Sequence, residues 1–148
     1  MPTRTPATLV QVEPAWLHFG STFATVALLA GYEHGRAWLD AARDHVRSNV
    51  AFLRDALEAA DVGIMALPVQ ATYLVWLDCA GLVERCGLKG AGALEAFMLS
   101  AGLVLSPGHE FDPTGASDLY MRLNAACPRA VLEEAVGRLR LAASSTNQ

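Results

Sequence analysis

The chain has 148 residues, which is the length of one ordinary domain and is enough to bury a substantial core. With 53% hydrophobic and 18% charged residues, it is more apolar than an average soluble domain, so either its core is large or an apolar face meets a partner. The net charge is −4, and the ten arginines and one lysine are scattered among acidic residues. No basic stripe exists to neutralise a phosphate backbone, and we expect no nucleic-acid partner.

The three cysteines, Cys79, Cys86 and Cys127, are odd in number and have no CxxC or Cys/His ligand spacing. The sequence therefore predicts neither a disulfide framework nor a zinc site. We interpret the cysteines as small, partly buried apolar residues in a reducing compartment, which favours a cytoplasmic protein.

The first predicted element is a buried helix over about residues 14–30, with Pro14 in its first turn and Gly31 and Gly35 breaking the chain after it. The uncharged segment 14–32 is long enough to span a membrane. Polar residues and glycines interrupt it, however, and only one arginine precedes it. We therefore expect neither a membrane span nor a signal peptide.

A long amphipathic helix is predicted over residues 36–60, because apolar residues recur there at steps of three and four while charged residues occupy the other faces. The apolar positions are Leu39, Ala42, Val46, Val50, Leu53 and Leu57. Two strands follow, at residues 63–67 and 72–78, separated by Pro68. The second is apolar almost throughout, which is typical of a strand covered on both faces.

The rest of the chain continues the mixture of helices and strands. The predicted elements are a helix at 91–101 ended by Gly102, strands at 103–105 and 119–124 around a turn-rich loop at 106–117, a helix at 128–143, and a disordered tail at 144–148. This order of elements predicts an α+β fold in which helices pack on a small sheet.

Four segments of the chain are distinctive. They are YEHGRAWLD at 32–40, ATYLVWLDC at 71–79, LVLSPG at 103–108 followed by Phe111, and MRLNAACPR at 121–129. In the same order, they resemble motifs of the PatB/MalY-type cystathionine β-lyases, which are fold-type I pyridoxal-phosphate enzymes of the class I/II aminotransferase superfamily. The resemblance covers about residues 20–141.

The resemblance implies a division of the chain. Residues 1–35 would be a remnant of the large cofactor-binding domain. Residues 36–143 would be the interdomain helix and the small C-terminal domain, and 144–148 a disordered tail. Such enzymes use pyridoxal phosphate to cleave the carbon–sulfur bond of cystathionine and similar cysteine conjugates, giving a thiol, pyruvate and ammonia. The sequence does not distinguish this β-elimination from transamination, because both use the same cofactor and the same carboxylate-binding arginine.

The resemblance also implies that the cofactor-binding residues lie in a large domain outside these 148 residues. In this chemistry a lysine amine bonds the cofactor and an acid pairs with its pyridine nitrogen. Lys89 is the only lysine, and we expect it in a solvated surface loop. We therefore expect no pyridoxal phosphate bound to this chain alone and no catalytic residue within it. The chain is then a fragment of a truncated or split gene, a subunit completed in trans by a separate large domain, or a non-catalytic amino-acid-binding or interaction domain.

Arg122 is the main candidate site residue. The resemblance makes its guanidinium the group that binds the α-carboxylate of an amino-acid substrate, a task that suits the two-pronged geometry of arginine. Strand alternation predicts that Arg122 faces away from Met121 and Leu123. Asn124 would orient Arg122 or the loop, or make a strand-end hydrogen bond. Tyr73 would line the substrate entrance or lie in the core.

Two positions differ from the family motifs, since Ala71 and Asp112 stand where glycine is usual, and both could change local turns. His109 and Glu110 are interpreted as solvated loop residues.

No metal site is expected, because the other histidines share no ligand spacing; they are His18, His34 and His45. Besides the substrate, the expected partner is a large domain or a second copy of the chain in a dimer, either of which would cover the apolar first helix.

Overall fold

The computed structural model describes residues 21–90, 92–112 and 114–145. The chain divides into two compact units, Met1–Leu39 and Asp40–Gln148. In the described part of the first unit, α1 spans Thr22–His34 and α2 begins at Arg36. The helix predicted at the start of the chain is thus present, although its predicted first residues lie outside the described ranges.

One expectation for α1 is wrong. The helix does not break at Gly31, because the Gly35 N–H donates to the Gly31 carbonyl at 2.9 Å and continues the helical ladder. Every residue of α1 is exposed, including Phe23 and Leu29. This exposure agrees with the expectation that the apolar helix is covered by a large domain or by a second copy of the chain.

In the second unit, α2 continues to Ala60, as predicted. It buries Leu53 and Leu57 against the core, together with one polar residue, Asn49. No helix in the described ranges is both long enough and apolar enough to cross a membrane.

Four antiparallel strands form one small sheet in the order β1-β2-β4-β3. The strands are β1 at Met65–Ala66, β2 at Leu74–Asp78, β3 at Ser106–Pro107 and β4 at Tyr120–Asn124. The predicted α+β layer is confirmed. The strand predicted at 103–105 is wrong, because the ladder begins at Ser106, while Leu103 and Leu105 pack against the core without joining the sheet.

Burial alternates along β2 and β4, so the expectation that β2 is covered on both faces is also wrong. Val75, Leu77, Met121 and Leu123 are buried on the inner face of the sheet. The alternate residues of both strands point to an outer face that is only partly covered.

Helices α3 at Ala80–Arg85, α4 at Ala93–Ser100 and α5 at Arg129–Ser145 contribute to the core on the inner face. The sequence did not predict α3, because six residues are too few to show a helical period. Its start packs against the turn before β1, where Gly63 has φ +77° and a side chain would collide with the backbone of Gly81. The tail predicted from residue 144 is wrong for Ser144 and Ser145, which end α5; residues 146–148 lie outside the described ranges.

Candidate functional site

The outer face of the sheet carries an open cleft of about 290 Å³. Its centre is the cross-strand pair Trp76 and Arg122, whose side chains lie on the same face because the two residues are in register. The cleft is lined by Pro68, Val69, Gln70, Ala71, Thr72, Leu74, Trp76, Phe111 and Arg122.

The side chain of Arg122 is held by aromatic rings. Its guanidinium carbon, Cζ, lies 3.8 Å from the centroid of the Phe111 ring, in a cation–π contact. Phe111 in turn meets Trp76 edge to face, with ring centroids 6.0 Å apart and an angle of 85°. The two aromatic rings therefore hold the guanidinium group against the outer face of the sheet. The predicted orientation of Arg122, away from Met121 and Leu123, is confirmed.

The Nε atom of Arg122 is buried and has no hydrogen-bond partner among residues 21–90, 92–112 and 114–145. A buried donor without a partner costs about 1–3 kcal/mol, and more when it is charged, so native structures rarely leave one. A carboxylate is the natural complement, because it can accept two parallel hydrogen bonds from one edge of a guanidinium. The Nε donor of Arg122 is therefore a candidate contact for an anionic ligand.

Asn124 ends β4, and its side-chain oxygen accepts a hydrogen bond from the Ala126 N–H at 2.8 Å. Of the expected roles, this contact is the strand-end hydrogen bond, and it shapes the chain after the strand. Tyr73 is half exposed and is not among the residues lining the cleft, although its neighbours Thr72 and Leu74 are. A substrate-binding role for Tyr73 or Asn124 stays a prediction.

Thr72 has φ +66°, which is rare for a β-branched residue and costs on the order of 1–3 kcal/mol. Its hydroxyl partly offsets this cost by accepting a hydrogen bond from the Leu74 N–H at 3.1 Å. Ala71 is not among the residues with positive φ, so alanine fits there without backbone strain. The strained position of this turn is Thr72, one residue after the usual family glycine.

Asp112, the second departure, also needs no glycine, because its φ of −133° is ordinary extended backbone. Its carboxylate accepts hydrogen bonds from the Thr114 hydroxyl and N–H, at 2.6 and 2.8 Å, and from the Ser117 hydroxyl at 3.0 Å. These bonds, that of the Thr114 hydroxyl first, lower the pKa of the Asp112 carboxyl. The residue that replaces the glycine thus organises the loop beside the cleft.

A polar network connects the end of β4 to α2, and sequence reasoning missed it. The side-chain amide of Asn49 donates to the carbonyls of Ala125 and Cys127, each at 2.8 Å, and its oxygen accepts from Arg129 Nε at 3.0 Å. Because a carbonyl oxygen can only accept, His45 Nε2 is the donor in its 2.9 Å hydrogen bond with the Cys127 carbonyl. The spacing of residues in the sequence could have indicated its burial. Asn49 lies four residues before Leu53 and eight before Leu57, and is therefore on the same face of α2 as these core residues.

Other candidates lie away from the cleft. Lys89 is exposed in the loop after α3, as expected, and does not line the cleft. His109 and Glu110 are exposed, also as expected. Cys79, Cys86 and Cys127 are free, and burial raises the pKa of the Cys79 thiol to about 12, so it is unreactive.

Within the described ranges no three His, Cys, Asp or Glu side chains are grouped so as to bind a metal ion. His18 lies outside those ranges.

The cleft suits a carboxylate but does not suit pyridoxal phosphate. That cofactor requires a lysine amine and an acid opposite its pyridine nitrogen, and the lining residues that the structure describes include neither a lysine nor an acid. Among these described lining residues, the one charged group is the guanidinium of Arg122. No step of the chemistry can be assigned to the cofactor from these residues.

The class of protein follows from comparison with known families. The model of the aminotransferase class I and II family matches residues 11–139, and the chain belongs to this family.

Among curated relatives, the chain is similar to protein MalY of Escherichia coli, with 32% identity over 119 residues. It is also similar to cystathionine β-lyase PatB of Bacillus subtilis, with 29% identity over 124 residues. These matches cover 80% and 84% of the chain but only 29% and 30% of the relatives. The chain therefore spans less than a third of their length.

Solved structures agree. The pyridoxal-phosphate-bound C–S lyase of Staphylococcus hominis superposes with a TM-score of 0.74 at 26% identity, covering 85% of this chain and 33% of that one. Cystalysin of Treponema denticola, which contains pyridoxal 5′-phosphate, gives a TM-score of 0.73 at 26% identity, covering 84% and 30%. The resemblance inferred from the four sequence motifs is confirmed.

Proposed function

We propose that this chain is the substrate-carboxylate-binding part of a pyridoxal-phosphate-dependent β-lyase that cleaves the carbon–sulfur bond of cystathionine-like amino acids. The observation that carries the proposal is the buried, unpartnered Nε of Arg122 in an open cleft. The proposed reaction type is that of two similar proteins, cystathionine β-lyase PatB and the C–S lyase of S. hominis. The family also contains aminotransferases, which use the same cofactor on the same class of substrate.

Arg122 would bind the α-carboxylate through the edge of its guanidinium, with Phe111 fixing the plane of that group. A planar fork held in this way loses little freedom when the ligand binds, so the ligand is oriented as well as held. Pyridoxal phosphate, held by the large domain of the complete enzyme, would supply the electron-withdrawing chemistry. The contribution of this chain is to hold and orient the substrate.

The proposal includes a division of the chain. Residues 36–143 form the interdomain helix and the small C-terminal domain, and residues 1–35 belong to the large cofactor-binding domain. The lysine and acid that the cofactor needs come from that large domain, encoded in the same gene or in a separate one. The partial coverage of the relatives supports this division.

The exposed apolar helix α1 supports a partner for the first unit. None of its residues is buried, and an apolar patch of this kind on a soluble protein marks an interaction site. The partner we propose is the large domain, or a second copy of the chain when that domain is absent. Sedimentation should show self-association of the chain that a Leu28→Glu, Leu29→Glu double variant abolishes. A monodisperse wild-type monomer at high micromolar concentration would overturn the proposal that α1 mediates self-association.

A non-catalytic amino-acid-binding role is the second candidate. It is favoured by the same cleft, which has a carboxylate-binding group but no residue able to bond the cofactor. It predicts ligand binding by the isolated chain and no activity after a large domain is supplied.

The test of the proposed function is a titration of the isotope-labelled chain with cystathionine, cysteine and pyruvate, followed by NMR shifts of residues 119–124. Binding should be weak, because an ion pair open to water contributes about 1 kcal/mol or less. Arg122→Lys should abolish the shifts, since an ammonium cannot make two parallel hydrogen bonds. Arg140→Lys, an exposed position on α5, is the matched control. Equal shifts in the wild type and the Arg122→Lys variant would show that Arg122 binds no carboxylate.

A second experiment tests the role of Lys89. After addition of pyridoxal phosphate and desalting, the isolated chain should retain no absorbance near the visible edge, because Lys89 is exposed and lies outside the cleft. A band that survives desalting and disappears in Lys89→Ala would show that this lysine does hold the cofactor.

A further inference from the structure

The ring that covers Arg122 belongs to a loop, and the position of the ring depends on how that loop is held. Phe111 is the last residue of a 3-10 helix, Gly108–Phe111, that follows β3 directly. Its contacts with Arg122 and Trp76 place it against the two central strands, β2 and β4. Between Phe111 and the start of β4 at Tyr120, the described residues 112 and 114–119 form no helix or strand.

Two polar groups of Ser117, its hydroxyl and its carbonyl, make the contacts that hold the loop together. The Ser117 hydroxyl donates to the Asp112 carboxylate at 3.0 Å, and the Ser117 carbonyl accepts from the Tyr120 N–H at 3.1 Å. The same carbonyl lies so close to Gly108 that any side chain there would overlap it. Ser117 therefore contacts both ends of the loop. It packs against Gly108 next to β3 and accepts a hydrogen bond from Tyr120 at the start of β4.

Asp112 is the group that connects this closure to Phe111. It is the next residue along the chain, and its carboxylate accepts two hydrogen bonds from Thr114 as well as the one from Ser117. Hydrogen bonds to an ionised carboxylate are about twice as strong as neutral ones. These three hydrogen bonds tie the residue next to Phe111 to Thr114 and Ser117.

We propose that Asp112 is a positioning residue for carboxylate binding, acting through Phe111 on Arg122. The inference rests on the proposed function, because it assumes that Arg122 binds the substrate carboxylate. Glycine at this position offers no side chain to bind Thr114 or Ser117, so the aspartate gives this chain a means of ordering the loop that the usual family motif lacks.

The test is the pyruvate titration applied to Asp112→Ala and Asp112→Asn, with Asp118→Asn as the matched control. Asp118 is exposed in the same loop, and its substitution removes the same charge. We expect Asp112→Ala to raise the Kd for pyruvate about twofold, which corresponds to about 0.4 kcal/mol and is less than the ion pair itself contributes. Asp112→Asn should have an intermediate effect, because its oxygen still accepts hydrogen bonds, and Asp118→Asn should have none.

A second readout separates positioning from general destabilisation. The Phe111 ring should shift the NMR signal of the Arg122 Nε–H by its ring current, and this shift should shrink in Asp112→Ala while the amide signals of Val75 and Leu123 in the core stay unchanged. An unchanged Nε–H signal and Kd in Asp112→Ala, with binding still lost in Arg122→Lys, would overturn the inference and leave the proposed function standing. Pyruvate binding that is unchanged in Arg122→Lys would overturn both this inference and the proposed function.

Discussion

The two faces of the sheet are built from the same strands and are opposite in character. On the inner face, Val75 and Leu77 of β2 and Met121 and Leu123 of β4 are buried against helices. The outer face carries an open cleft and an arginine whose Nε has no hydrogen-bond partner in the part of the chain that the structure describes. The strained Thr72 also borders this cleft. The energetically unfavourable features thus lie on the outer face, and the packed inner face supplies the stability that compensates for them.

The largest expected effect is on the inner face. Leu77→Ala should lower the free energy of unfolding by about 3 kcal/mol, because Leu77 is fully buried and the truncation leaves a cavity. Denaturant unfolding measures the change. Leu74→Ala, on the outer face of the same strand and only partly buried, is the control and should cost clearly less. Equal losses of unfolding free energy in the two variants would mean that the inner face of β2 is not packed more tightly than the outer face.

The next effect concerns the polar network behind the sheet. Asn49→Ala should lower the free energy of unfolding by about 2 kcal/mol, because it leaves the buried carbonyl of Ala125 without its Asn49 donor and removes a partner of Arg129. Ser48→Ala, which removes only an exposed contact to the same arginine, should cost well under 1 kcal/mol. Thermal unfolding of the two variants decides the point. Similar melting temperatures for both would argue that the network adds little.

A smaller stability effect is expected for the central residue of the outer face. Arg122→Ala should change the free energy of unfolding by about 0.5 kcal/mol or less, because the lost contact with Phe111 is offset by removal of a buried donor that has no partner. Denaturant unfolding without ligand measures this. A loss of several kcal/mol would identify Arg122 as a structural residue and weaken the contrast between the faces.

The smallest effect concerns pH. The hydrogen bonds that lower the pKa of Asp112 favour its ionised form in the folded protein. Their contribution is therefore fully present above the ordinary aspartate pKa, near 4, and is lost as the pH falls through the lowered value. The Thr114 amide signal should stay constant from pH 7 to about pH 4 and move only below it. Movement centred above pH 5 would contradict the bonding described.

Much of this arrangement could be predicted from sequence, and the misses have physical causes. The period of α2 and the alternation around Arg122 are local patterns, and each was confirmed. The apolar run at 72–78 predicted a strand correctly, but its cover on both faces was wrong because one face of β2 borders the cleft. Spacing could place Asn49 on the core face of α2, but its partner Ala125 lies 76 residues away along the chain, and no local pattern identifies such a partner. Asp112 was noted only as a departure from the usual glycine, and its hydrogen bond with Ser117 was missed.

The most direct test of the central claim observes the orphaned nitrogen of Arg122 itself. Side-chain NMR of the Arg122 Nε–H should show a downfield shift on addition of pyruvate, because the carboxylate supplies the missing hydrogen-bond acceptor. Pyruvamide, in which a neutral amide replaces the carboxylate, should leave the signal in place at the same concentration. Equal shifts with pyruvate and pyruvamide, or no shift with either at saturating concentration, would contradict the assignment of this cleft to carboxylate binding.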